Sequence, residues 1–68
     1  MKCIDIQAMY LPEVGEQAMF VVWETDGGTY EATINVGEKT LSAGEWETLD
    51  LCYDWGTEYF SKNYGVSI

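Results

Sequence analysis

Four carboxylates, Glu47, Asp50, Asp54 and Glu58, follow one another at steps of three and four residues, with no lysine or arginine between them. On an α-helix, where each residue advances by 100°, they fall within an arc of ~80° and make one acidic ridge. The chemistry open to such a row is electrostatic capture of cationic groups. Acid–base catalysis by paired carboxylates needs two of them across a substrate cleft, and a chain of 68 residues has little volume for one. There is no histidine, and Cys3 and Cys52 lie too far apart in sequence for a local zinc knuckle. Glu24, Asp26 and Glu31 surround a turn in which Gly28 stands where a calcium loop would want an oxygen ligand. No glycine-rich phosphate-binding pattern occurs. The expectation is a non-enzymatic protein with no metal and no cofactor.

The balance of charge points the same way. Twelve acidic residues stand against 3 basic ones, for a net charge of -9. Such a surface repels nucleic acid and anionic membrane and attracts basic protein grooves. Charge of this size would suggest disorder, but 47% hydrophobic and 15% aromatic residues argue for a folded domain. The expected unit is one domain over residues 1–68, small enough that its core is marginal unless it associates. Two cysteines without CxxC spacing do not make a secreted disulfide framework. With no apolar run long enough for a membrane span or signal segment, the expected location is a reducing cytoplasm, and a single disulfide between Cys3 and Cys52 stays open.

The elements that must carry these residues follow from periodicity. Residues 2–11 alternate as a half-buried strand, with Ile4, Ile6, Ala8 and Tyr10 on one side and Cys3, Asp5, Gln7 and Met9 on the other. Pro12 ends it. A second strand is predicted over 18–25, a hairpin turn at Asp26-Gly27-Gly28 and a third strand over 29–36. Gly37-Glu38-Lys39 then loosens the chain. Ser42 with Glu45 three residues on reads as a capping box opening a helix over 43–63, with Lys62 in its last turn and Asn63 or Gly65 as its C-cap. Leu49, Cys52, Tyr53, Tyr59 and Phe60 share its apolar stripe, Trp46 lies at the edge, and Gly56 permits close approach. Val66-Ser67-Ile68 adds a short strand or a packed tail. The predicted fold is α+β, a three-stranded antiparallel meander (β-β-β-α) with one C-terminal amphipathic helix on one face.

The length of the hairpin loop decides which sheet face is which. A two-residue Asp26-Gly27 turn sets Met19, Val21 and Trp23 beside Tyr30, Ala32 and Ile34, and a three-residue loop brings Phe20 and Val22 onto that face instead. The shorter turn is preferred here. It leaves Phe20 and Val22 on the outer sheet face beside Glu24, Glu31, Thr33 and Asp5, an apolar patch with an acidic rim suited to a homodimer or a flat protein contact.

Leu51 and Trp55 flank the helical ridge, and tryptophan beside charge is typical of binding hot spots. In overall character, short, acidic and without a catalytic motif, the chain resembles small phage-encoded inhibitors of bacterial defence of the anti-CRISPR or anti-restriction type. No single motif carries that resemblance. It implies a stoichiometric inhibitor in the host bacterial cytoplasm whose partner is a basic nucleic-acid-binding protein or effector complex. Glu47, Asp50, Asp54 and Glu58 would then stand in for phosphates, with no direct nucleic-acid binding. The competing readings are a small dimerising interaction module that uses the outer sheet face, and a subunit that adds its edge strand to a larger sheet.

Overall fold

The computed structural model describes residues 1–67. Its elements are β1 (Lys2–Leu11), β2 (Glu16–Glu24), β3 (Tyr30–Val36), β4 (Lys39–Trp46) and α1 (Leu49–Tyr64). The strands form one antiparallel sheet in the order β1-β2-β3-β4, and the helix lies across one of its faces. The α+β class and the single C-terminal helix are as expected, but the meander has four strands rather than three.

The fourth strand replaces what the sequence suggested was the first part of the helix. Val36 pairs with Lys39 across a two-residue turn in which Gly37 has φ +57°, the positive value that tight hairpins require at their first central position. Residues 39–46 then pair back along β3 to Tyr30↔Trp46. The capping box at Ser42 and Glu45 does not form. The helix is capped instead by Thr48, whose extended backbone (φ −132°, ψ 155°) lets its Oγ1 accept from the Leu51 N–H at 3.3 Å. At the other end Gly65 takes the left-handed conformation, φ 66°, as foreseen, with its N–H donating to the Ser61 carbonyl at 3.1 Å and the Val66 N–H to the Phe60 carbonyl at 3.4 Å. The alternative C-cap, Asn63, turns its side-chain amide back to the Tyr59 carbonyl. Of the expected tail, Val66 packs against the core and neither it nor Ser67 is in a strand, while Ile68 lies outside the described residues.

The second difference lies in the β2–β3 hairpin. Glu24 pairs with Tyr30, Thr25 and Thr29 bond to each other, and the loop is the three residues Asp26-Gly27-Gly28, with the Gly28 N–H on the Thr25 carbonyl and φ +83° at Gly28. A turn closed by a left-handed glycine is the standard three-residue hairpin. One residue of register exchanges the two faces. Phe20 and Val22, expected outside, are therefore wholly buried with Leu11, Ala18, Ala32, Ile34, Cys52 and Phe60. Met19, Val21 and Trp23 occupy the opposite face.

The helix stripe is the one expected. Cys52, Gly56 and Phe60 are buried, and Leu49, Tyr53 and Tyr59 are half-buried around them. Phe20 packs edge-on against Phe60, with ring centroids 6.4 Å apart, and against Tyr53 at 6.0 Å. Gly56 sits over the Phe20 ring, so close that a β-carbon there would meet Phe20 Cε1 and Cζ at 2.6 Å.

Candidate functional site

The helical ridge survives with one change. Asp50, Asp54 and Glu58 occupy successive turns of α1 and are all exposed, but Glu47, also exposed, lies in the bend before Thr48 rather than on the helix. The row is thus three carboxylates on a helix face, about 6 Å apart along the axis, with a fourth at its N-terminal end. Its electrostatics are milder than an unbroken like-charge row. Asp50 is in the first turn, where the macrodipole favours an anion, and Glu58 is paired with Lys62 Nζ at 2.7 Å. The hydrogen bond and charge of Lys62 hold the Glu58 carboxyl below its ordinary range, and Glu58 raises Lys62 in turn. Asp54 alone has neither form of relief. Among the described residues, the other ion pair joins the N-terminal amine to Asp26 at 3.1 Å, far from the ridge in sequence.

Leu51 is exposed beside the ridge, as expected. Trp55 is half-buried. Its ring lies between Trp46 at 5.2 Å and Tyr59 at 5.5 Å, and Tyr59 in turn neighbours Tyr64 at 6.3 Å, so the indole belongs to a row of aromatics along the helix edge. A shallow concavity of about 610 Å³ beside Tyr64, lined also by Val14, Glu16, Val36, Glu38 and Lys39, is open to solvent.

The residues assigned to the outer sheet face are separated by the register. Phe20 and Val22 are core. Asp5, which pairs with Val22, faces the helix and accepts a short hydrogen bond from the Tyr53 hydroxyl and one of 3.2 Å from Gln7. That contact, with Tyr53 first, lowers the Asp5 carboxyl below its ordinary range, and the anionic acceptor pushes the Tyr53 phenol up to about 12. Glu24 shares the helix-side parity, and of these residues Glu31 and Thr33 stand on the outer face, Glu31 with its side chain over Gly44.

The outer face itself is built from residues that the preferred turn had turned inward. Cross-strand pairs Ile6↔Val21 and Ala8↔Met19 make its centre, with Tyr10 at one end and Trp23 at the other. Ile6 is 57%, Tyr10 56% and Met19 40% exposed. Their polar neighbours are tied within the plane of the sheet, Trp23 Nε1 to Thr33 Oγ1 at 3.1 Å and Thr40 Oγ1 to Asn35 Oδ1 at 2.8 Å. The signal for this face was present in the sequence, in the apolar alternation of Ile6, Ala8 and Tyr10.

Cys3 and Cys52 are free, the first exposed and the second buried, where desolvation pushes its thiol up. Among the described residues no three His, Cys, Asp or Glu side chains gather where a metal ion could be held, and no helix is long and apolar enough to cross a membrane. Comparison with protein-family models, curated proteins and solved structures found no significant match to the chain.

Proposed function

We propose that this protein is a non-enzymatic acidic binding protein that occupies a basic nucleic-acid-binding groove on another protein, acting as a stoichiometric inhibitor of the kind phages direct against bacterial CRISPR or restriction complexes. The observation that carries the reading is the exposed line Asp50, Asp54 and Glu58 with Glu47 at its head. Its repeat of about 6 Å is of the order of the charge spacing along one strand of duplex DNA, which is ~3.4 Å projected on the helix axis and longer along the winding backbone. Arginines that grip a phosphate backbone would meet carboxylates at a comparable pitch and could engage them bidentately. The net charge of -9 adds long-range attraction to a cationic groove and repulsion from nucleic acid itself.

The test is capture of bacterial lysate proteins by the wild type and by Asp50→Lys/Asp54→Lys, at low and moderate salt, with duplex DNA as competitor. Wild type should retain nucleic-acid-binding proteins that DNA displaces and salt releases, and the double variant should not. Equal capture by both proteins would remove the ridge from consideration.

A further inference from the structure

The outer face of the sheet has no covering layer in one chain, and its chemistry differs from that of every other surface of the molecule. Of the residues that β1–β4 place there by pairing, Glu31 alone is charged, and it stands at one end, with Glu45 in the β4 bulge beside it. The remaining acids lie on the helix, on the helix-side register or in the turns. We propose that this face is an isologous interface on which a second copy of the same chain docks, sheet to sheet, with both acidic helices turned outward.

Three observations support a second copy as the occupant, the first of them by excluding a basic partner. A basic protein would be drawn to the helix and the turns and would gain nothing from Ile6, Ala8, Met19 and Tyr10. An acidic chain can approach its own copy only through a surface that carries almost no charge, and this is that surface. Sheets packed face to face lie about 10 Å apart with a helix layer beyond each, so the two ridges would be roughly 30 Å apart, several Debye lengths at physiological salt (~8 Å).

The second observation is size. The molecule measures 37 × 20 × 15 Å. Two broad faces of that size would together cover about 1,000–1,400 Å², at the lower end of specific interfaces. The third is polar satisfaction. The Trp23 indole and the Asn35 amide oxygen already have in-plane partners, so covering them leaves fewer groups to satisfy. The expected state is a dimer that dissociates on dilution in the micromolar range.

Sedimentation equilibrium from 1 μM to 1 mM, at 0.15 and 0.5 M NaCl, tests this directly. The dimer should persist or tighten at high salt, because salt screens the repulsion between acidic copies. Ile6→Lys and Met19→Lys, both at exposed positions, should weaken association by roughly 30-fold or more by placing an unpaired charge at its centre. Leu51→Lys on the helix should leave it unchanged. Should Ile6→Lys lower the folded fraction, Tyr10→Lys reads the same contact from the end of the strand. A monomer at every concentration overturns the proposal, as does a dimer indifferent to these outer-face lysines. Neither result bears on capture by the helical ridge, so the two readings fail separately.

Discussion

Gly56→Ala provides a test of whether the helix seats on Phe20 as described. Alanine favours an exposed helix interior over glycine by about 1 kcal/mol, so propensity alone predicts a gain. The packing predicts the reverse. A β-carbon at 56 would lie 2.6 Å from two atoms of the Phe20 ring, against an attractive optimum of about 3.5–4.0 Å. The ring has no room to retreat, because Phe20 is fully buried with Phe60 and Tyr53 against it. Overpacking of this kind costs about 1–3 kcal/mol, and a contact this short on a ring that cannot retreat belongs at about 2–3, so the net effect is a loss of about 1–2 kcal/mol once the propensity gain is subtracted. In a domain of 68 residues that lowers the melting midpoint by roughly 5–15 °C. Urea and thermal unfolding, followed by tryptophan fluorescence and far-UV circular dichroism, read the change. The same substitution in a Phe20→Leu background should cost at least about 1 kcal/mol less, since the smaller side chain leaves space. A rise in stability for Gly56→Ala alone would refute the docking of α1 on β2.

Two further predictions concern how the helix is held. Thr48→Ala should cost about 1 kcal/mol through loss of the N-cap, whereas Ser42→Ala on the exposed edge strand should change stability by less than about 0.5 kcal/mol; a capping box at Ser42 would reverse that order, and chemical denaturation decides it. The Tyr53–Asp5 bond gives stability a pH dependence at both extremes. Because the folded Asp5 carboxyl is lowered, its contribution is complete above the ordinary carboxylate value of ~3.9 and is lost as pH falls through the folded value. Because the folded Tyr53 phenol is raised to about 12, its contribution is complete below ~10 and is lost as pH rises through about 12. Tyr53→Phe should flatten both arms of the stability profile, and an unchanged profile would show that the bond contributes nothing.

Much of the helix and hairpin arrangement was legible in the chain. The apolar stripe from Leu49 to Phe60, the left-handed Gly65 and the β2–β3 turn follow from periodicity and from what glycine alone does readily. The fourth strand was not, because KTLSAGEW has neither a branched-residue run nor clean alternation, and Ser42 with Glu45 imitates a helix start. As an edge strand with one partner, β4 can be specified by its turn and by Trp46 rather than by its own pattern. The faces were hidden for another reason. Asp26-Gly27-Gly28 supplies glycine for either a two- or a three-residue loop, and β2 is apolar on both sides, so local sequence could not choose the parity. The helical part of the ridge was readable from spacing alone, whereas Glu47 changed place with the helix start. Trp55 was read as a flanking hot spot because the sequence does not show that Trp46, at the end of a strand, reaches over to cover it.

The two-sided character of β2 also bears on how the chain behaves when it is not fully folded. Fraying of α1 would bare Phe20, Val22, Ala32 and Ile34 on one side of a ribbon that already shows Ile6 and Met19 on the other. A meander apolar above and below is the raw material of stacked fibrils. The helix therefore keeps one of the two apolar sides of the sheet covered. The acidity spread over the turns and helix gives the half-open chain colloidal repulsion where it has lost its cover. Part of the charge proposed for recognition would thus serve the chain even where no partner is bound.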